Sequence, residues 1–128
     1  MNVISAEQLQ MLTNPSDLQY KKVQWHKNMT LYVRQFLPFR EMLDLIDAIV
    51  SSGLSKDGST FLPELVDFST RLYITSTYAA VELPKDTDAQ YRVLYTTDLY
   101  ETVCKNINQS QLSTILKCID LAVSKMMT

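Results

Sequence analysis

The stretch VQWHKNMTLYV, Val23 to Val33, holds the chain's only tryptophan and its only histidine side by side, and its reading decides the fold. Val23 and Trp25 alternate with polar neighbours, as do Leu31 and Val33, which is the period of a half-buried strand. Between the two runs lies His26-Lys27-Asn28-Met29, a polar tip with an asparagine that tolerates left-handed backbone. If the four apolar residues share one face, the loop must hold an odd number of residues, because a two-residue Lys27-Asn28 turn would pair Trp25 with Thr30 and split the apolar residues across faces. A three-residue loop Lys27-Asn28-Met29 then pairs Trp25 with Leu31 and Val23 with Val33. On that register Trp25 points to the buried face and His26 away from it. Two strands are unstable alone in water, so this hairpin must pack on helices.

Outward from the hairpin the period changes. Pro38 suits the first position of a helix, where its missing N–H costs nothing. Phe39, Met42, Leu43, Ile46, Ile49 and Val50 then recur at spacings of three and four, the pattern of a buried stripe. Gly53 and Gly58 are the only two glycines: Gly53 ends this helix, Gly58 sits in the loop from Leu54 to Thr60, and both are expected to adopt positive φ. Pro63 opens a second long helix with a stripe of Leu65, Phe68, Leu72, Thr75 and Ala79. Its end, Tyr73-Ile74-Thr75-Ser76-Thr77-Tyr78, favours strand by composition but continues the helical period without a breaker. Leu83-Pro84 stops it. Ala89 to Tyr95 reads as a helix, with a break at Thr96-Thr97-Asp98 and a capping pair Asp98/Glu101 opening the next. Asn108 and Gln111 form another capping pair, before a stripe of Leu112, Ile115, Leu116, Ile119, Val123 and Met126.

Upstream of the hairpin, Ser5 and Gln8 have the spacing of a capping box, and Ile4 and Leu9 that of a hydrophobic staple. Asn14-Pro15 is expected to end this short helix. So short a helix is marginal by itself, so it reads as an arm held by the body or by a partner. The expected organisation is one domain: an N-terminal helical arm over 1–19, a β-hairpin over 20–37 and a helical block over 38–128. The fold class is α+β, predominantly helical, with the hairpin packed on a cluster of four or five α-helices.

A chain of 128 residues can bury one real core. Its 12 basic and 14 acidic residues leave a net charge of −2, which gives no general attraction to nucleic acid or anionic membranes. The N-terminus MNVISAEQLQ has neither the basic nor the apolar region of a secretory signal, so a cytoplasmic protein is expected. No apolar run approaches the ~20 residues of a bilayer span. Cys104 and Cys118 lie outside any CxxC spacing or His/Cys cluster, so they are expected to be reduced thiols rather than metal ligands.

Catalytic signatures are missing: there is no GxGxxG, no Walker-type loop, no HExxH and no nucleophile elbow. His26 has Trp25 and Lys27 as sequence neighbours and no carboxylate to orient it, so it reads as a solvated loop histidine. Glu41, Asp44 and Asp47 step by three along one helix, which suits a solvated face or an acidic contact patch. Lys21, Lys22, Lys27, Arg34 and Arg40 lie among Tyr20, Trp25 and Tyr32, a mixture resembling a single-strand nucleic-acid platform. The inward Trp25 and the acidic helix that follows argue against that use. Seven tyrosines, among them Tyr91 and Tyr95, suit the rim of a core or a protein interface. No catalytic, cofactor or metal residues are expected; the candidate partner contacts are His26, Lys27, Asn28, Glu41, Asp44, Asp47, Tyr91 and Tyr95.

The order of KKVQWHKNMTLYVRQFLP, FREMLDLIDAIV, a DG loop, FLPELVDFSTRLYI, VELPKDTDAQYRVLYTTDLYETV and a capped helix opening NQSQL resembles small uncharacterised proteins of tailed phages and prophages of Gram-positive bacteria. It covers the chain from about position 20 as a pattern of apolar positions and turns. The resemblance implies a phage setting, in the host cytoplasm or incorporated into the virion, where small non-enzymatic proteins serve assembly or counter host defences. The expected function is protein–protein interaction as a virion structural or assembly component, with itself as a homo-oligomer or with other phage proteins. An inhibitor of a host defence protein or nuclease is the alternative, and a nucleic-acid accessory the third.

Overall fold

A computed structural model describes residues 2–13 and 19–128. The elements run α1 (Ala6–Met11), β1 (Tyr20–His26), β2 (Met29–Arg34), α2 (Phe39–Ser51), α3 (Pro63–Tyr78), α4 (Thr87–Thr96), α5 (Leu99–Lys105) and α6 (Gln109–Met126). The chain is α+β and mostly helical, with one antiparallel hairpin packed on the helices, as the change of period implies. The expected end of α1 at Asn14-Pro15 lies outside the described residues.

The hairpin register differs from expectation. Val23 pairs with Leu31 and Lys21 with Val33, and His26 meets Met29 across the two-residue turn Lys27-Asn28. Between Gln24 and His26 the register slips, so Trp25 is the extra residue of a β-bulge. Here the odd residue sits in the strand instead, so Val23 still faces the core opposite Leu31. No non-glycine residue among those described has positive φ, so Asn28 does not use its left-handed tolerance. The bulge also breaks the alternation at Trp25. His26 does not point away from it: the rings lie 4.4 Å apart, edge to face.

Leu31 and Val33 enter the core with Leu37, Met42, Leu45, Ile49, Val66, Ile74, Tyr78, Val103, Leu112, Ile115 and Ile119. The α2 stripe is rotated from the sequence reading. Met42, Leu45 and Ile49 are buried, Leu43, Ile46 and Val50 pack at the edge, and Phe39 is 70% exposed. In α3 the buried residues are Val66, Ser69, Ile74, Thr75 and Tyr78, while Leu65 is exposed. This helix touches α2, α4 and α5, so neighbours on several sides blur its apolar stripe. Tyr73 to Tyr78 is helical as expected, but the helix stops at Tyr78 and not at Leu83-Pro84, because the chain turns extended at Ala79. Beyond it, Ala79 bridges to Val33 and the Ala80 N–H donates to the Tyr32 carbonyl at 2.9 Å, closing the outer edge of β2.

Gly58 has φ +75° and needs glycine for that reason. Gly53 does not. A Cβ there would lie 2.6 Å from Phe61 and 2.8 Å from Val66, so this glycine serves close approach.

Gln111 joins three elements in the interior. The Asn108 side chain accepts from the Gln111 N–H and caps α6, but the Gln111 side chain does not return to complete a box. It turns inward, where its Oε1 accepts from the Leu37 N–H at 2.8 Å and from the Tyr78 hydroxyl at 2.5 Å. Its Nε2 donates to the Leu37 carbonyl at 2.9 Å. A buried loop backbone thus finds in one carboxamide both partners that a strand would otherwise provide.

Candidate interaction surfaces

The expected contact residues separate into free and engaged groups. At the hairpin tip His26, Lys27 and Asn28 are all exposed. Trp25 is half-buried, and its indole N–H donates to the Asp98 carboxylate at 2.8 Å. This bond explains why Asp98 stands at the N-cap of α5 without capping it by its side chain; the Thr97 hydroxyl accepts from the Leu99 N–H instead.

The acidic row is not continuous. Arg34 donates to both oxygens of Glu41, at 2.7 and 3.1 Å, and this bidentate bond holds the Glu41 carboxyl below its ordinary range. Asp44 and Asp47 stay exposed. Arg34 is likewise withdrawn from the basic cluster, whose other members on β1 and its turn, Lys21, Lys22 and Lys27, are exposed.

Tyr91 and Tyr95 stack with ring centres 4.8 Å apart, but only Tyr91 is exposed. The Tyr95 hydroxyl donates to Asp67 at 2.6 Å, and burial together with that carboxylate pushes it up to about 12. Arg71 lies over the rings of Tyr95 and Tyr100, donates to the Leu94 carbonyl and pairs with Glu101 at 3.2 Å. This cluster fastens α3 to α4 and α5, which leaves Tyr91 as the available contact. Cys104, beside Tyr100, is half-buried, and burial pushes its thiol up, away from nucleophile chemistry. Among the described residues no three His, Cys, Asp or Glu side chains gather where they could hold a metal ion.

Two apolar surfaces remain. Every described residue of the arm is exposed, among them Val3, Ile4, Leu9, Met11 and Leu12. The arm is nonetheless a defined helix: Ser5 Oγ accepts from the Gln8 N–H at 3.1 Å and Gln8 Oε1 from the Ser5 N–H at 2.9 Å. The second surface is a shelf at the end of α6, a shallow depression of about 670 Å³ lined by Cys118, Leu121, Ala122, Ser124, Lys125 and Thr128. Met126 and Met127 are exposed beside it in the chain. The sequence reading missed this shelf, although Leu121 falls off the 112/115/119 stripe and was legible as an outward apolar residue. It took Met126, exposed here, as buried.

No helix among the described residues is long and apolar enough to cross a membrane. Comparison with protein-family models, curated proteins and solved structures finds no match to this chain.

Proposed function

We propose that this chain is a non-enzymatic assembly protein, a small structural or assembly component of a tailed phage, that associates with copies of itself through its N-terminal arm. The observation that carries this reading is the arm: a capped helix presenting Ile4, Leu9 and Leu12 with none of them buried. Large apolar side chains gathered on one short segment favour a covering partner, because each contributes roughly 1.5–3 kcal/mol when removed from water.

The α6 shelf of a second copy fits the arm in chemistry and length. The arm's described residues carry a single charge, Glu7, and the shelf carries Lys125. Residues 118 to 126 span about 12 Å along the helix axis, close to the reach of about 10 Å from the arm's cap to Leu12. Contact between two different surfaces is heterologous and can build rings or extended arrays, the geometry that virion assemblies use. The phage setting rests on the resemblance in the order of elements and apolar positions to small proteins of tailed phages.

The test is protein mass spectrometry on purified particles of the encoding phage, with sedimentation of the isolated chain. The reading expects stoichiometric presence in particles and a defined oligomer. Absence from particles together with a strict monomer removes it. The inhibitor reading loses support because Glu41, one of its three acidic contacts, is taken up by Arg34.

A further inference from the structure

We propose that the outer edge of β1 binds an extended acidic segment of a partner protein, which adds to the hairpin as a further antiparallel strand. The proposal rests on the preceding reading only in taking the chain to act by binding protein; the surface is a different one.

The backbone pattern identifies the open groups. The Gln35 N–H donates to the Gln19 carbonyl at 3.2 Å, so these residues form a hydrogen-bonded pair. Antiparallel ladders alternate such pairs with non-bonded ones, so Lys21/Val33 and Val23/Leu31 belong to the bonded class. Tyr20, Lys22 and Gln24 therefore turn their N–H and C=O groups outward, away from β2. The same alternation sends the Tyr32 carbonyl off the far edge of β2, where the Ala80 N–H meets it. One edge of the sheet is thus capped at its middle by the chain itself. The β1 edge is not: among the described residues no backbone group outside β2 pairs with Tyr20, Lys22 or Gln24. An open edge is a template for strand addition.

Charge selects the occupant. From Tyr20 to Asn28 the chain carries Lys21, Lys22, Lys27 and His26 and no acidic residue. The two carboxylates bonded to the hairpin are engaged, Asp98 by the Trp25 indole and Glu41 by Arg34. A second copy of β1, paired about Lys22, would set that lysine against its own equivalent, a like-charge pair that disfavours self-pairing. An extended segment with carboxylates in register gains both the ladder and the ion pairs. The bulge at Trp25 ends the regular edge, which limits the site to a short segment starting at Tyr20.

The experiment titrates the isotope-labelled full-length chain with the capped peptide TEVEVEVET and follows the amide signals. The expected result is saturable binding with shifts and slowed hydrogen exchange at the amides of Tyr20, Lys22 and Gln24. A peptide of the same sequence with its alternate backbone nitrogens methylated should not bind. The double variant Lys21→Glu/Lys22→Glu should weaken binding at least about tenfold, and Lys21→Gln/Lys22→Gln less. An unchanged ladder at Val23 and Leu31 verifies that each variant keeps the hairpin. No binding, or equal binding of the methylated peptide, overturns the proposal. So does preferential, salt-sensitive binding of an oligothymidylate, which would assign the face to single-stranded nucleic acid. The variant Leu9→Ser/Leu12→Ser should bind the peptide as the parent does. If it loses self-association but keeps the peptide, arm and edge are independent sites; if the peptide fails while the arm effect persists, only the edge is refuted.

Discussion

Replacing Gln111 with methionine isolates the buried carboxamide from every packing effect. Methionine has nearly the same length and volume, so no cavity opens for water to enter. The substitution strands three buried groups: the Leu37 N–H, the Leu37 carbonyl and the Tyr78 hydroxyl. Each buried group left without a partner costs about 1–3 kcal/mol, and the added apolar burial returns about 1 kcal/mol. The expected net loss is therefore about 2–8 kcal/mol, a large share of the roughly 6–19 kcal/mol expected for a chain of this length. Urea unfolding followed by far-ultraviolet circular dichroism measures it. With a slope of ~1.5 kcal/mol per molar, the midpoint falls by about 1–5 M. Tyr78→Phe serves as the inner control. It removes one donor while Gln111 keeps both bonds to Leu37, so it should cost only about 1 kcal/mol. Thr75→Val should go the other way, because the Thr75 hydroxyl is already buried without a partner. It is expected to be neutral or stabilising by about 1 kcal/mol. A Gln111→Met midpoint within about 1 kcal/mol of the parent would refute the claim that this carboxamide holds the α2 entry, α3 and α6 together.

Trp25→Phe and Asp98→Ala should each lose about 1 kcal/mol, and the double variant should lose less than their sum; strict additivity in denaturant melts would deny the indole–carboxylate bond. Gly53→Ala should cost about 1–3 kcal/mol by crowding Phe61 and Val66, whereas Gly58→Ala should cost about 1–2 kcal/mol through its backbone alone. Gly58→Asn should be milder than Gly58→Ala, and equal melting temperatures for all three glycine variants would contradict this. Glu41 is a carboxylate held low by Arg34, so its contribution is complete above its ordinary value of 4.5 and is lost as pH falls through the lower folded value. Glu41 is 43% exposed, so at neutral pH Glu41→Gln should cost less than about 1 kcal/mol. Its melting temperature should then depend less on pH below about 4.5 than the parent's; parallel acid limbs would remove the ion pair's role.

What the sequence made legible follows from which interactions are local. Period, proline placement and cap spacing placed the hairpin, the described helices and the break at Thr97-Asp98, because each depends on residues within one or two turns. The register of the hairpin was not legible. An extra residue can sit in the loop or in the strand with the same face buried, and only the contact of Trp25 with Asp98, far along the chain, accompanies the second. The rotated stripe of α3 has a similar cause, since a helix with three neighbours has no single apolar side. Gln111 shows the limit most clearly: its spacing from Asn108 suggests a box, yet its side chain serves a backbone segment distant in sequence. Of the contact candidates, the exposed tip His26-Lys27-Asn28 lies where it was expected. Glu41 and Tyr95 were diverted by Arg34 and Asp67, partners that periodicity does not reveal.

The central claim is that the arm joins one copy of the chain to another, and sedimentation velocity tests it most directly. The full-length chain and its Leu9→Ser/Leu12→Ser variant are run over a range of concentrations, with thermal melts to show that the body is unchanged. The account predicts a defined oligomer for the parent and a monomer of equal stability for the variant. A parent that stays monomeric at every concentration, or a variant that assembles as the parent does, would contradict it.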